Sequence, residues 1–281
     1  MKDHVKRLLY VNSLTGFGKV STQIALPVFA LAQLEISLLP SVCLSSHTGY
    51  PDPVRFDSED GLEGILDHWQ KIGVHLDGVI TGYLKSEHQV ERLLELDVPF
   101  LVDPVMGDGG RLYKGFDERF VSSMRRLVAR AQVILPNLTE AAYLLGREPL
   151  VGPVAVDQLQ DLAAALLALG PDLVLLTGVP LESGAMGVLY ASEEDFRVFE
   201  TPAYPQHFVG TGDLLTALVA SAYFRGLDLK EVIPQFLSFM DRALRATLAL
   251  DRPLLEGVYY QPFLGDLLNV FKEEEVCQQE D

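Results

Sequence analysis

The chain has 281 residues, 48% of them hydrophobic and 22% charged, a composition that supports a substantial buried core. Its 39 acidic against 22 basic residues give a formal net charge of −17, a field that argues against a nucleic-acid or anionic-membrane partner but leaves room for a small anion in a locally reversed cleft. Cys43 and Cys277 are far apart and lack metal-ligand spacing, which argues against a disulfide framework.

The N-terminal apolar run in "MKDHVKRLLYVNS" is too short for a signal-peptide core or a membrane span, so a cytosolic protein is expected. Short runs rich in branched residues then read as strands: "RLLYV", "ISLLPSV", "DGVIT", "PFLVD", "QVILP", "LVLLT", "AMGVLY" and "FRVFE". Amphipathic segments between them predict helices at about 19–34, 59–73, 86–97, 117–130, 138–146 and 155–169. Two longer helices follow at about 212–225 and 229–250. Such alternation predicts a mainly parallel sheet covered on both faces. No linker or internal repeat divides the chain, so one domain is expected over residues 1–272, followed by an acidic tail, 273–281.

Ligands of open parallel sheets bind at the carboxyl ends of the strands. "VNSLTGFG", "SSHTGY", "TGYLKS", "DPVMGDGG", "PNLTE" and "TGV" all fall there. Near the C-terminus, "HFVGTGDLLTALV" (207–219) places two glycines and a threonine before Asp213, at the start of an apolar helix. Unpaired N–H groups at a helix start bind anions, and the same field helps to keep Asp213 ionised. Capping of the helix by Asp213 or Thr211 is the simpler use of those residues. No Walker A loop occurs, and "GFGKVS" lacks the third glycine of a dinucleotide fingerprint.

Taken together, "SSHTGY" (45–50), "TGY" (81–83), "DPVMGDGGRLY" (103–113), "PNLTE" (136–140) and "GTGD" (210–213) resemble, in the same order, the signature segments of the pyridoxal kinase family of the ribokinase superfamily. The resemblance implies a ribokinase-like three-layer α/β/α sandwich with a mainly parallel central sheet. It implies transfer of the ATP γ-phosphoryl group to the 5′-hydroxyl of pyridoxal, pyridoxine or pyridoxamine, in line and without a phosphoenzyme. Asp213 would be the catalytic base, with Gly210, Thr211 and Gly212 as the anion hole.

The same resemblance puts Asp103, Asp108, Tyr113, Asn137 and Thr177 beside ATP. Mg2+ would be held by Asp103 and, through water, by Glu140, with room for K+. Ser13, His47, Thr48 and Tyr83 would line the vitamin pocket, and the protein would be a homodimer. Asp108 could equally form a Gly-Asp-Gly turn, and Asn137 with Glu140 could form a capping box.

Several residues depart from the family pattern. Lys19 is either a solvated cation or a counter-charge near the entering phosphates, and Leu135 removes a nucleotide-side hydroxyl that the family often has. Cys43 reads first as an inert thiol. Hydroxymethylpyrimidine kinases form the nearest alternative, although many carry cysteine at the position of Asp213. A sugar or nucleoside kinase and a non-catalytic vitamin-binding protein are the other two alternatives.

Overall fold

The computed structural model describes residues 5–56 and 59–272. The anticipated acidic tail and Cys277 therefore lie outside the described residues. In chain order the first elements are β1 (Arg7–Thr15), α1 (Ser21–Leu31), β2 (Glu35–Leu44), β3 (Arg55–Phe56), α2 (Glu59–Lys71), β4 (Gly78–Thr81) and α3 (Glu87–Leu94). Then come β5 (Phe100–Val102), a hairpin of β6 (Gly107–Asp108) and β7 (Arg111–Leu112), α4 (Glu118–Val128), β8 (Val133–Ile134), α5 (Leu138–Leu145) and α6 (Val156–Leu167). The last elements are β9 (Leu173–Pro180), β10 (Met186–Ser192), β11 (Phe196–Thr201), α7 (Thr211–Arg225), α8 (Leu229–Leu248) and α9 (Leu264–Lys272).

One nine-stranded sheet runs in the order β11-β10-β9-β8-β5-β4-β1-β2-β3. The pairs from β2 through β1, β4, β5 and β8 to β9 are parallel, whereas β3, β10 and β11 join antiparallel. Successive side chains on a strand point to opposite faces, and here both faces are apolar. Leu8, Tyr10, Ile80, Leu101 and Leu175 pack with residues of α1, α7, α8 and α9. Leu9, Val11, Val79, Phe100 and Val174 pack with residues of α2 to α6. The result is the expected helix-sheet-helix sandwich, and each fully buried Leu or Phe contributes about 1.5–3 kcal/mol relative to exposure.

α7 is apolar almost all round because it lies against both the sheet core and neighbouring helices; its buried residues run from Leu214 to Ala222 without a break. α1 tolerates Pro27, whose missing N–H deprives the Gln23 carbonyl of its helical donor. The Tyr260 hydroxyl reaches that carbonyl at 3.5 Å.

All eight strands and eight helices read from the sequence are present. The differences lie at element ends and in short pieces. β1 continues through the polar stretch Asn12–Thr15, pairing with β2 across a register shift between Asn12 and Leu14. Periodicity alone ends the strand where the apolar run ends. β3, β6 and β7 have two residues each, too few to carry a pattern. α9 is an addition to the expected helices, although its buried Leu267, Val270 and Phe271 have helical spacing.

The register fixes where the loops emerge. Val11 pairs with Thr81, Thr81 with Val102, Val102 with Ile134, and Ile134 with Val174. Asn12, Gly82 and Asp103 thus follow one another across the carboxyl edge of the sheet.

Candidate active site

α7 begins at this edge. Gly210, its N-terminal cap, has φ 88°, a left-handed conformation that costs little only for glycine. A Cβ there would stand 2.3 Å from the Lys19 carbonyl oxygen, so the chain approaches α1 more closely than any side chain permits. Thr211 donates its hydroxyl to Phe208 O at 3.4 Å. Gly212 has open space where its side chain would be. The first-turn N–H groups of α7 have no helical acceptors, leaving an uncluttered anion-binding end.

Asp213 lies half-buried in that turn. Burial pushes its carboxyl above the ordinary range, while the N–H and hydroxyl of Ser21 and the amide of Asn12 favour the charged form. Asn12 Nδ2 lies 3.2 Å from Asp213 Oδ1. Ser21 is a non-glycine residue with φ 48°, a strained conformation of the kind found at functional sites. Its hydroxyl accepts from Ser13 Oγ at 2.8 Å.

Asp103 and Glu140 form a second acidic group. Both are buried. Burial, offset by a 2.7 Å hydrogen bond from Thr216 and reinforced by Asp213, raises Asp103 to about 7. Glu140 is raised well above the usual carboxylate range by burial and then by Asp103.

Glu140 also completes a capping box with Asn137: Asn137 N donates to Oε2 at 2.9 Å, and Glu140 N donates to Asn137 Oδ1 at 2.9 Å. The other carboxylate oxygen accepts from Met106 N at 3.1 Å, and Asn137 Nδ2 donates to Gly107 O at 2.9 Å. The cap therefore also fastens the 103–113 loop to α5. The Asn137 side chain is committed to these contacts, and Thr177 forms a bridge beside it.

Asp108 is exposed on the β6–β7 hairpin and accepts from Gly109 N at 2.7 Å, the turn that its sequence context suggested. The Tyr113 hydroxyl is pushed up by burial and then by Glu140, Asp108, Asp103 and Asp213. It faces the same acidic field.

Around the prospective vitamin pocket, Tyr83 is pinned by its backbone. Its N–H donates to Asn12 Oδ1 at 3.1 Å and its carbonyl accepts from Ser41 Oγ at 2.6 Å. Its ring lies 5.6 Å from that of Phe116. Thr48 is exposed. His47, in contrast, is buried, with Nε2 2.7 Å from Leu255 O and Nδ1 accepting from Gly49 N at 3.1 Å. With Nδ1 accepting from Gly49, Nε2 is the nitrogen left to donate to the Leu255 carbonyl. Both ring nitrogens are engaged by main chain, so His47 ties its loop to Leu255.

Lys19 is half-buried; burial and Arg252 lower its ammonium while Glu256 raises it. Leu135 is buried in the core cluster, and Cys43 is a half-buried free thiol. Sequence reasoning missed Asn12, Ser21 and Thr216. The first two carry a faint signal, since each is polar and borders an apolar run. Thr216 has none, being a hydroxyl inside an apolar helix.

A three-layer sandwich with a Gly-Thr-Gly-Asp helix start beside buried carboxylates defines a small-molecule kinase of the ribokinase-like class. Residues 68–255 match the phosphomethylpyrimidine kinase family. Among curated relatives, the pyridoxal kinase of Arabidopsis thaliana is 30% identical over 241 residues, covering 76% of this chain and 72% of that protein. Pyridoxal kinase PdxY of Rubrobacter xylanophilus is 31% identical, covering 86% and 87%. Among solved structures, pyridoxal kinase from Lactobacillus plantarum superposes with a TM-score of 0.87 at 30% identity, covering 96% and 99%. A candidate phosphomethylpyrimidine kinase from Bacteroides thetaiotaomicron, crystallised with pyridoxal, superposes with a TM-score of 0.87 at 32% identity, covering 94% and 96%. The chain belongs to the phosphomethylpyrimidine kinase family and, within it, to the pyridoxal kinases of the ribokinase superfamily.

Proposed function

We propose that this chain is an ATP-dependent kinase that moves the γ-phosphoryl group to the 5′-hydroxyl of pyridoxal, pyridoxine or pyridoxamine. One observation carries the reading: Asp213, held by Asn12 and Ser21 in the first turn of α7, stands beside helix N–H groups that nothing else in the helix uses. A base and an anion site are adjacent there, which is what in-line phosphoryl transfer to a hydroxyl requires. The pyridoxal in the Bacteroides relative and the names of the curated relatives support the choice of substrate.

In this mechanism Asp213 accepts the hydroxyl proton as oxygen attacks phosphorus. The N–H groups of Gly210, Thr211 and Gly212 stabilise the charge on the transferring group. Asp108, Tyr113, Asn137 and Thr177 border the nucleotide, and Ser13, Thr48 and Tyr83 border the vitamin. His47 shapes that wall through its loop.

The residues present fit Mg2+. Asp103 and Glu140 are buried carboxylates, Glu140 pushed up in part by Asp103 and Asp103 in part by Asp213, and an oxygen-only site with few protein ligands suits an ion that keeps its waters. Asp103 would hold it directly and Glu140 through water. When bound, it supplies charge neutralisation at the phosphates. The same reading carries one kinase domain over residues 1–272, a homodimer and a cytosolic location. Among the described residues no helix is long and apolar enough to cross a membrane.

Turnover of pyridoxal with ATP and Mg2+, measured beside hydroxymethylpyrimidine, tests the proposal. The family description favours trying that second substrate. Far faster turnover of hydroxymethylpyrimidine would reassign the substrate, and tight pyridoxal binding without turnover would leave a binding protein.

A further inference from the structure

We infer that Asn12 positions Asp213 for proton acceptance, using a side-chain amide whose remaining bonds lock it to the sheet edge. The inference rests on the kinase reading above and extends it to a residue outside the family's signature segments.

Asn12 is 2% exposed, and each of its polar positions is occupied. Its Oδ1 accepts from Ser13 N at 2.7 Å and from Tyr83 N at 3.1 Å. Its Nδ2 donates to Tyr10 Oη at 2.7 Å and to Asp213 Oδ1 at 3.2 Å. Two donors and two acceptor lone pairs are all that an asparagine amide has.

Those contacts also settle the orientation of the amide. Ser13 and Tyr83 present backbone N–H groups, which can face only an oxygen, so the NH2 must face Tyr10 and Asp213. A flipped amide would set two donors against two donors and an oxygen against a carboxylate. Gly82 closes the arrangement from the β4 side: a Cβ there would lie 2.2 Å from Asn12 Nδ2.

The amide thus joins β1, the loop after β4 and the first turn of α7. Tyr10, behind it, is fully buried and part of the core, so the amide cannot swing without breaking its bond to a fixed ring. Ser21 supplies the other support of Asp213. With Asn12 and Ser21 both in place, the carboxylate enters the reaction already aimed, which is where much of the advantage of a positioned base arises.

The test is a double-mutant cycle with pyridoxal and MgATP, comparing wild type, Asn12→Ala, Asp213→Asn and the double variant. Single-turnover rates are read together with the KM values. Asn12→Ala is expected to lower the rate roughly 10²-fold, the scale of a base displaced by about an ångström. The KM values for pyridoxal and ATP should stay within about threefold of wild type. In the Asp213→Asn background the same substitution should cost about twofold or less, because a positioning residue has nothing left to position.

Equal losses in the two backgrounds, a change confined to KM, or an unchanged rate in Asn12→Ala would each overturn the inference. If Asn12→Ala does not fold, as judged by thermal melting with ADP, Asn12→Asp replaces it. That variant keeps the shape and both acceptors but turns an oxygen toward Asp213, and the same losses are expected. A wild type that phosphorylates no B6 vitamer, or an Asp213→Asn variant with near-normal turnover, would overturn the kinase reading itself. A failed cycle with both of those intact would remove Asn12 alone.

Discussion

Thr216 donates its hydroxyl to Asp103 across 2.7 Å, and it does so from α7, one turn beyond Asp213. A single helix therefore carries the proposed base and a support for the proposed metal ligand. In Thr216→Val the shape is kept and the donor is lost. Asp103 should rise further, and turnover should require more Mg2+ for half-saturation, with a stability cost of about 1–3 kcal/mol for the unsatisfied carboxylate. Titration of activity with Mg2+ checks this, and an unchanged half-saturation point would detach Thr216 from the metal site.

Asp213→Asn removes the base while keeping the size and shape of the side chain. Turnover of pyridoxal should fall by roughly 10²–10⁴-fold, with ADP affinity unchanged in calorimetry. Near-normal turnover would remove Asp213 from its role as base.

Gly210→Ala and Gly212→Ala separate folding from anion binding. At position 210 the new Cβ meets the Lys19 carbonyl at 2.3 Å with φ 88°, and a loss of at least about 2 kcal/mol is expected. At position 212 the Cβ enters open space. That variant should melt near wild type but show a higher KM for ATP, because the methyl group narrows the anion site. Similar melting of the two variants would contradict the close approach of α7 to α1.

Asp103 makes stability depend on pH. Its folded value of about 7 lies above the ordinary 3.8, so the folded state binds this proton more tightly than the unfolded chain does. The stabilisation is complete below about pH 4 and is lost as pH rises to about 7. Without Mg2+, the stability of wild type relative to Asp103→Asn should fall between about pH 5.5 and about pH 7.5 by up to about 1.4 kcal/mol per pH unit. A constant difference between the two proteins across that range would count against the raised value.

Most of the fold was legible because the strands are short apolar runs, such as Leu8–Val11, buried throughout, and most of the helices between them carry a helical period. The pieces that escaped were those without a period, such as the two-residue strands β3, β6 and β7, or those whose pattern went unread, such as α9. At the site, the motifs single out Asp213, Asp103 and Glu140, which the fold brings into one acidic field, but they do not report the contacts of His47. No local pattern reports that a carbonyl at residue 255, 208 positions away, will take Nε2.

The sequence by itself determined the alternation of elements, the glycine-flanked acidic helix start and the family to which they belong, because period, turn chemistry and motif spacing are local properties of the chain. Only the tertiary structure decided that Asn12 meets Asp213 across 201 positions, that Thr216 meets Asp103 across 113, and that burial drives the Asp103–Glu140 pair upward. Hydrogen bonds and desolvation depend on which groups the packed sheet and helices bring within about three ångströms of one another and away from water.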